Sequence, residues 1–285
     1  MKIFITGSNG FTGYHLINKL KQKNLAYYEF KGDLRDTVQI DNALKESMSS
    51  HVVNLAAITH VKHPNINDFY EVNVIGSQNL IAACNLNRNH VKSILLFSSA
   101  IIYGDLFDNI PIKEDFDFKI MNHYALSKFS MEQMVNFTQC EIPINIVRPF
   151  NFTGYKQDTS FVIPKIVDHF RNKKNNIELG NIDVKREFND VRWVIEAILS
   201  IIQSDCSDEI FNICSGQSYS IKDIIQKLEL LTSHKVNIQI NEDFIRKNDI
   251  SNLIGCPQKL YKYFPNLKDI RKDYSIESLL SWMLA

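Results

Sequence analysis

In the first half of the chain, short apolar runs alternate with stretches whose hydrophobic residues recur at helical spacing. The apolar runs predict strands at Lys2–Thr6, Ala26–Phe30, Val52–Ala57, Ile94–Phe97 and Ile144–Val147. The amphipathic stretches predict helices at Phe11–Lys23, Val38–Ser47, Asp68–Leu86 and Tyr124–Gln139. Strict alternation of strand and helix favours an α/β fold with a doubly wound parallel sheet. Loops at the carboxyl ends of the strands then share one edge, where such sheets bind ligands.

Beyond Pro149 this alternation is lost, and helical stretches are separated by short strands. The predicted helices are Phe161–Asn172, Val191–Ser204, Ile221–Thr232 and Ile276–Leu284, and the predicted strands are Ile177–Leu179, Ile210–Ile213 and Val236–Ile240. No linker-like stretch separates the two patterns. We therefore expect a first domain over residues 1–150 and a smaller α/β lobe over residues 151–285, interleaved with it.

Composition narrows the choice of partners and compartment. The 285 residues carry 32 Lys and Arg against 32 Asp and Glu, which argues against a nucleic-acid partner bound through bulk charge. The five scattered cysteines form no CxxC pair, so we expect free thiols and neither disulfides nor a metal site. No signal peptide and no apolar stretch near the ~20 residues of a membrane helix is recognisable. These features predict a cytoplasmic protein with no membrane partner.

A glycine-rich turn, GSNGFTG, follows the first predicted strand and opens the first helix. Glycine suits a tight turn, a close approach of the backbone to a pyrophosphate, and close helix–strand packing. The helix N-terminus adds free N–H groups and partial positive charge. A turn with a purely structural role is the alternative. The candidate cofactor-binding residues here are Gly7, Asn9, Gly10, Phe11, Thr12 and Gly13.

The end of the second strand bears on the choice of dinucleotide. An acidic ribose ligand would stand ~20 residues beyond the glycine turn, but no acidic residue stands clearly at that strand end. Lys31 is suited to a 2′-phosphate, and Asp33 with Leu34 to adenine or ribose. We therefore favour NADP over NAD, although Lys31 as a merely solvated charge is the alternative.

Tyr124 and Lys128 lie one turn apart on a predicted helix, so that a phenol and an ammonium share one face. A neighbouring cation favours phenolate, which makes the pair a proton donor or acceptor. Tyr27 and Lys31 have the same spacing, but on a strand they would stand ~13 Å apart. Ser99 ends a central strand, where its hydroxyl is suited to polarise a carbonyl that Tyr124 protonates; a strand-end turn residue is the alternative.

The combination of Gly7/Gly10/Gly13, Asp33-Leu34, Asn54-Leu55-Ala56-Ala57, Ser99 and Tyr124/Lys128 resembles the extended short-chain dehydrogenase/reductases. The resemblance covers essentially the whole chain. It implies a Rossmann-type domain that binds NAD(P), a nucleotide-sugar substrate in the C-terminal lobe, and Ser99, Tyr124 and Lys128 as catalytic residues. It adds Ala56, Ala57, Asn73 and Pro149, together with Tyr124 and Lys128, to the cofactor-binding residues.

Segments of the second half look like those of GDP-4-dehydro-6-deoxy-mannose reductases: RPFNFTG from Arg148, GN from Gly180, KREFNDVR from Lys185 and FNICSG from Phe211. By that similarity Asn151, Arg186 and Arg246 hold the sugar nucleotide, with Thr59, Ser99 and His123 also at the substrate. Arginine suits a diphosphate because its planar fork binds two oxygens. Surface salt bridging remains open for Arg186 and Arg192, and a packed structural role for His123.

Three functions follow from this resemblance. The first is an NAD(P)H-dependent reductase of a nucleotide-diphospho-4-keto-6-deoxy sugar, with GDP-linked hexose or heptose favoured. The second is a nucleotide-sugar 4-epimerase or 4,6-dehydratase; Ala100 and Ile101 stand where such dehydratases carry an Asp-Glu pair, which disfavours water elimination. The third is a non-catalytic dinucleotide sensor. The resemblance also implies a homodimer formed by the helices Asp68–Leu86 and Tyr124–Gln139, with a monomer left open.

Overall fold

The computed structural model describes residues 1–61, 63–104, 110–245 and 252–285, which form two compact units. The chain crosses between the units at Pro149–Phe150, near the boundary expected from the sequence, and at four other points. The first unit comprises Met1–Ile102, Ile120–Pro149 and Ala197–Phe211, and the second comprises Tyr103–Lys119, Phe150–Glu196 and Asn212–Ala285.

The strands follow the predicted order, with short additional strands in the second half of the chain. They are β1 (Lys2–Thr6), β2 (Ala26–Glu29), β3 (His51–Asn54), β4 (Ser93–Phe97), β5 (Ile144–Pro149), β6 (Phe152–Thr153), β7 (Asn176–Leu179), β8 (Lys185–Arg186), β9 (Asn189–Asp190), β10 (Ile210–Ile213), β11 (Tyr219–Ser220), β12 (Asn237–Ile240) and β13 (Asn252–Leu253).

The helices agree with the predicted ones to within a few residues, and two short helices near the C-terminus were not predicted. They are α1 (Phe11–Gln22), α2 (Thr37–Ser47), α3 (Ile66–Tyr70), α4 (Gly76–Leu86), α5 (His123–Phe137), α6 (Val162–Arg171), α7 (Val191–Ile202), α8 (Ile221–Thr232), α9 (Gln258–Tyr263), α10 (Pro265–Ile270) and α11 (Ile276–Leu284). Three 3₁₀ segments, Ala100–Tyr103, Glu242–Phe244 and Arg271–Tyr274, and a π-helical segment, Glu71–Ile75, complete the described helical structure.

A parallel sheet, six-stranded within the described residues, has the strand order β10-β5-β4-β3-β1-β2 and confirms the predicted Rossmann-type α/β class. Its first face is buried through Phe4, Val52, Ile94 and Leu96, which pack with apolar side chains of α2, α4 and α5. The alternate residues, such as Ile5, are buried as well. Both faces are therefore covered, which explains why these strands are continuous apolar runs in the sequence.

Two elements differ from the predictions in ways that shape the site. The strand predicted over Val52–Ala57 ends at Asn54, so Leu55, Ala56 and Ala57 form the start of a loop at the sheet edge. The helix predicted over Asp68–Leu86 begins at Ile66 and contains a π-helical segment at Glu71–Ile75 between α3 and α4. Single π-helical turns are rare and are frequently found at functional sites.

The second unit has its own core, in which α6, α8 and α11 pack around buried aliphatic side chains such as Ile166, Ile224 and Leu280. Small sheets with the orders β11-β8-β13, β12-β7 and β6-β9 surround it. Helix α8 begins with a capping box between Ser220 and Asp223, in which each side chain bonds the other residue's backbone N–H. This unit therefore has an apolar core of its own.

Candidate active site

The turn between β1 and α1 packs too tightly for side chains at two of its glycines. Gly7 has a φ of +67°, and a Cβ added there would lie 2.6 Å from the Ala56 backbone nitrogen. A Cβ on Gly13 would lie 2.4 Å from the Gly7 carbonyl oxygen, whereas one on Gly10 would keep 3.3 Å. The Gly10 N–H donates to the Gly7 carbonyl at 3.0 Å, which closes the turn. Two of the three glycines are thus required by backbone geometry itself.

The same turn offers hydrogen-bonding groups that the described protein leaves open. Gly10 is the N-cap of α1 and has no side chain to cap the first turn, which contains no acidic residue. Ser8 Oγ is buried without a hydrogen-bond partner among the described residues, and the same holds for Ser98 Oγ at the end of β4. Open helix N–H groups and an unpartnered hydroxyl fit a pyrophosphate.

A pocket of about 380 Å³ lies in the first unit. It is lined by residues that follow β2, by one residue of the loop after β3 and by one residue of the π-helical segment. Four of its lining residues were predicted at the cofactor from the sequence: Lys31, Asp33, Leu34 and Ala56. The remaining lining residues are Gly32, Arg35 and Val72. The predicted nucleotide-facing residues from two separate loops therefore do meet at one pocket.

Arg35 was not singled out from the sequence, yet it adds a second cation to the lining of this pocket. Its guanidinium bonds both carboxylate oxygens of Asp33, with a shortest distance of 2.6 Å, and reaches Glu71 at 3.4 Å. These contacts raise the pKa of Arg35 and lower the pKa of Asp33. Asp33 is thus engaged by a cation, while Lys31 stands exposed.

Ser99, Tyr124 and Lys128 come together in the first unit, as predicted for the catalytic set. The Tyr124 hydroxyl hydrogen-bonds Ser99, and Ser99 Oγ also accepts the Ile101 N–H at 3.3 Å. Lys128 is 3% exposed and donates from Nζ to the Phe97 carbonyl at 2.6 Å. The carboxyl end of β4 and helix α5 therefore bring a phenol, a hydroxyl and an ammonium to one place.

Burial sets the protonation of this group. Desolvation raises the pKa of Tyr124 to about 12, although the bond with Ser99 acts in the opposite direction. Desolvation lowers the pKa of Lys128 to about 8, against the attraction of Glu132. The expectation that the neighbouring cation lowers the pKa of Tyr124 is therefore wrong, because burial raises that pKa instead. The phenol is protonated near pH 7 and available as a donor, with Lys128 mostly charged one helical turn away.

Asn73, which we predicted at the cofactor, has its side chain committed to the protein. In the π-helical segment its Oδ1 accepts the Ile58 N–H at 2.8 Å, and its Nδ2 donates to the Ile58 carbonyl at 3.1 Å. Nδ2 also donates to Ser127 Oγ at 2.9 Å, and that hydroxyl donates to the Tyr124 carbonyl. Asn73 is fully buried, so it ties the loop after β3 to the helix carrying Tyr124.

Two further substrate-side candidates of the first unit, His123 and Thr59, are both exposed. His123 is exposed, and its Nδ1 lies 2.9 Å from the Tyr70 hydroxyl. Thr59 is exposed on the loop after β3. Phe69 contacts the Tyr124 ring at 6.3 Å between ring centroids, and also His63, which pairs with Asp68 at 2.5 Å. His123 is thus held by a tyrosine and is not buried in a core.

The remaining candidates are distributed over the two units. Pro149 is buried at the end of β5 in the first unit. In the second, Asn151 is exposed with its carbonyl accepting the Asn189 N–H at 2.9 Å, and Arg186 lies on β8 and donates to the Lys185 carbonyl. Arg246 lies outside the described residues. The structure therefore supplies no geometry for Arg246 as a sugar-nucleotide ligand.

Arg192, for which surface salt bridging was the alternative, is indeed paired: its guanidinium bonds both Asp190 oxygens and stacks over Trp282 at 4.1 Å. Glu187 was not predicted, although its carboxylate accepts the Ser215, Gly216 and Gly255 N–H groups. These N–H groups belong to residues 28, 29 and 68 positions away, so no local spacing in the sequence marks Glu187 as their acceptor. Arg35 and Ser127, in contrast, stand next to predicted residues.

This site and its sheet define the class of the molecule as an NAD(P)-dependent enzyme with an extended short-chain dehydrogenase/reductase architecture. The chain belongs to the NAD dependent epimerase/dehydratase family, whose model matches residues 3–214. The resemblance inferred from the motifs is thereby confirmed. Over the described ranges, none of the helices has both the length and the apolar character needed to cross a membrane.

Two curated relatives extend over nearly the full chain. A GDP-6-deoxy-D-talose 4-dehydrogenase of Aggregatibacter actinomycetemcomitans is 38% identical over 272 residues, with 93% of this chain and 92% of the relative covered. A GDP-6-deoxy-D-mannose reductase of Pseudomonas aeruginosa is 27% identical over 296 residues, covering 98% and 96%. Both relatives are named for the oxidation or reduction of GDP-linked deoxy sugars.

Solved structures share the fold. RMD from Pseudomonas aeruginosa, complexed with NADPH, has a TM-score of 0.86 at 26% identity and covers 99% of this chain and 96% of its own. The UDP-glucose 4-epimerase of Thermus thermophilus, complexed with NAD, has a TM-score of 0.83 at 21% identity, with 99% of both chains covered. The second likeness speaks for the fold alone.

Proposed function

We propose that the protein is a reductase of a nucleotide-diphospho-4-keto-6-deoxy sugar that uses NAD(P)H. The observation that carries this proposal is the bond between Ser99 and a protonated Tyr124, with Lys128 buried one turn away. A phenol whose pKa is about 12 is a proton donor at neutral pH, as reduction of a ketone requires. The GDP-sugar chemistry in the names of the two curated relatives supports the substrate class.

Each catalytic residue then has a separate task. Ser99 donates a hydrogen bond to the sugar carbonyl and stabilises the negative charge that develops on its oxygen. Tyr124 gives its proton to that oxygen. Lys128 favours the phenolate that remains and binds ribose hydroxyls. When bound, the reduced nicotinamide supplies the hydride.

Residues of the first unit are suited to hold the dinucleotide. We propose that the N–H groups after Gly10, together with Ser8, receive the pyrophosphate, as their open hydrogen-bonding capacity suggests. The pocket between Lys31 and Val72 would receive the adenosine end, with Ala56 and Ala57 along the loop after β3. Asn73 would act by fixing that loop, because its own amide is already hydrogen-bonded to protein.

The sugar nucleotide would be held by residues of both sequence halves. From the first we propose Thr59, Ser99 and His123, and from the second Asn151, Arg186 and Arg246, with arginine forks on the diphosphate. GDP-linked hexose or heptose is favoured. Ala100 is buried to 1% exposure and Ile101 is apolar, so the positions after Ser99 offer no acid–base pair for water elimination. This speaks against the dehydratase alternative.

A screen of GDP-, CDP- and dTDP-linked 4-keto sugars, followed by the absorbance of NADPH and NADH, tests the proposal. A reductase consumes one reduced cofactor for each keto sugar and needs no hexose substrate. Turnover of a nucleotide hexose without net change in absorbance would indicate an epimerase instead. Dinucleotide binding without turnover of any sugar in the panel would favour the sensor alternative.

For the cofactor we propose NADP(H) over NAD(H), with Arg35 joining Lys31 at a 2′-phosphate. Both cations line the pocket at the end of β2, and a planar guanidinium binds phosphate oxygens well. Arg35→Ala should weaken NADPH binding about tenfold and leave NADH binding within about twofold, because only NADPH carries the 2′-phosphate that the guanidinium would bind. Arg88→Ala is the matched control, because Arg88 is an exposed arginine paired with Glu141. Equal losses for both dinucleotides would contradict the assignment.

We further propose a homodimer in the cytoplasm, formed by the helices named from the sequence. Leu86 at the end of α4 is 75% exposed and Phe137 at the end of α5 is 85% exposed. Ile75 and Leu126 stand eleven residues earlier on the respective helical segments and are also exposed, so each pair lies near one helix face. Phe137→Glu should shift the mass measured by light scattering from dimer to monomer, whereas a wild-type monomer would refute the dimer.

A further inference from the structure

A buried ion pair lies behind the catalytic lysine and has no part in the function proposed above. Glu132 on α5 and Arg148 on β5 are 3% and 2% exposed. Arg148 Nε donates to both carboxylate oxygens at 3.0 and 3.1 Å, and Nη2 donates to Oε2 at 2.7 Å. Removing two charged groups from water is costly, so such a pair is weak evidence for stability alone. Its place next to the site suggests another use.

Lys128 stands one helical turn before Glu132, on the same face of α5. Glu132 on the same helix attracts the Lys128 ammonium, Arg148 from β5 is bonded to that Glu132, and β4 contributes the Phe97 carbonyl as the acceptor of the ammonium. Two cations and one anion therefore share a buried region. Glu132 is the group in this set whose charge offsets the loss of water around Lys128.

We propose that Glu132, held by Arg148, is a positioning residue that keeps the Lys128 side chain charged and directed at the Phe97 carbonyl beside Tyr124. The inference rests on the proposed function, in which Lys128 acts as a cation on ribose and phenol. Arg148 fixes the carboxylate by a two-pronged contact, so Glu132 cannot swing toward Lys128 and form a closed pair with it. Glu132 thus attracts the Lys128 ammonium without forming a direct ion pair with it.

This arrangement predicts opposite effects for its two members. Glu132→Gln removes the anion and leaves the charge of Arg148 in the same buried region as Lys128, so the ammonium should lose its proton at lower pH. Arg148→Met removes the repelling cation and frees Glu132 to attract Lys128 alone, so the proton should be lost at higher pH. A merely structural pair would give changes in the same direction for both variants, through loss of folded protein.

The experiment measures the dissociation constant of NADPH by fluorescence between pH 6 and 10, with no sugar present. The wild type should bind NADPH more weakly above the pH at which Lys128 loses its proton. This pH dependence should be absent from Lys128→Met. Glu132→Gln should move the midpoint down by about one pH unit or more, and Arg148→Met should move it up. The double variant Glu132→Gln/Arg148→Met should fall between wild type and Glu132→Gln. Asp41→Asn, which removes the carboxylate of an i,i+4 pair with Lys45 on α2, should leave the midpoint unchanged.

Circular dichroism at each pH confirms that the variants are folded. If Arg148→Met does not fold, the midpoint shifts of Glu132→Gln and of the double variant still test the proposal. A smaller shift in the double variant than in Glu132→Gln supports it. Unshifted midpoints, or equal shifts in Glu132→Gln and the double variant, would overturn it. A wild type that binds neither NADPH nor NADH overturns the proposed function, and this inference with it. That failure is seen in the wild type, whereas failure of this inference alone is seen in the variants.

Discussion

Asn73 donates a hydrogen bond to Ser127 Oγ at 2.9 Å across 54 residues of sequence. The contact joins the π-helical segment to the residue directly before Lys128. Since the same amide also accepts the Ile58 N–H and donates to the Ile58 carbonyl, one buried side chain connects the loop after β3 with the helix that carries Tyr124. The π-helical segment thus carries the side chain that makes this connection.

Asn73→Leu should destabilise the protein strongly, because the Ile58 N–H and carbonyl and the Ser127 hydroxyl all lose a partner. We expect the free energy of unfolding in urea to fall by about 2–4 kcal/mol, and by about 1–2 kcal/mol in Ser127→Ala. The double variant should lose less than the sum, since one bond is shared. Strict additivity would show that the Asn73–Ser127 bond carries no energy.

Tyr124→Phe should abolish reduction while NADPH still binds. The variant lacks the proton donor, and loss of a positioned acid typically lowers kcat by about 10²–10⁴-fold. Tyr27→Phe is the matched control, because Tyr27 has the same spacing to Lys31 as Tyr124 has to Lys128 but lies on β2. Steady-state absorbance and fluorescence titration measure the two properties. Full activity of Tyr124→Phe would remove Tyr124 from the mechanism.

Gly13→Ala and Gly10→Ala should differ in their effects, because the backbone leaves no room for a side chain at Gly13 but does at Gly10. The added methyl would lie 2.4 Å from the Gly7 carbonyl in the first variant and 3.3 Å from it in the second. We therefore expect Gly13→Ala to lose about 2–4 kcal/mol of stability and most NADPH affinity, and Gly10→Ala to lose about 1 kcal/mol or less. Thermal unfolding with and without NADPH provides the measurement, and similar losses would speak against the described turn.

Lys128→Met should stabilise the folded protein near neutral pH while it impairs turnover. Burial lowers the pKa of Lys128 from 10.5 to about 8, so the unfolded chain binds this proton more tightly than the folded one. The penalty is fully present below pH 8 and fades as the pH rises toward 10.5. Allowing for the donor lost by the Phe97 carbonyl, we expect a gain of about 2 kcal/mol at pH 7. Urea unfolding at pH 7 and pH 10 measures it, and a gain that grows with pH would contradict the prediction.

The sheet and the glycine turn were predictable from the sequence because their signals are local. Apolar runs covered on both faces and glycines at a strand–helix junction need no knowledge of distant residues. The Tyr124–Lys128 pair was predictable for the same reason, since one helical turn sets its geometry. The end of β3 was placed three residues too late, because Ala56 and Ala57 look like strand residues although they belong to a loop, from which Ala56 lines the pocket at the end of β2.

The parts that the sequence did not reveal depend on contacts between distant segments. Arg35 became a candidate only when the pocket placed it beside Lys31 and opposite Glu71. Asn73 was predicted at the cofactor, but whether an amide faces a ligand or a loop backbone depends on residues 15 and 54 positions away. Glu132 and Arg148 stand 16 residues apart on different elements, and no pattern along the chain marks such a pair.

Strand β10 closes one edge of the parallel sheet next to β5, although the residues between them form much of the second unit. The Ile146 N–H finds its acceptor in the Glu209 carbonyl, 63 positions further along the chain. On the ribosome, the dinucleotide-binding sheet therefore remains one strand short until translation has passed residue 213. Newly made chains expose the β5 edge during that interval, when chaperones and neighbouring nascent chains have access to it.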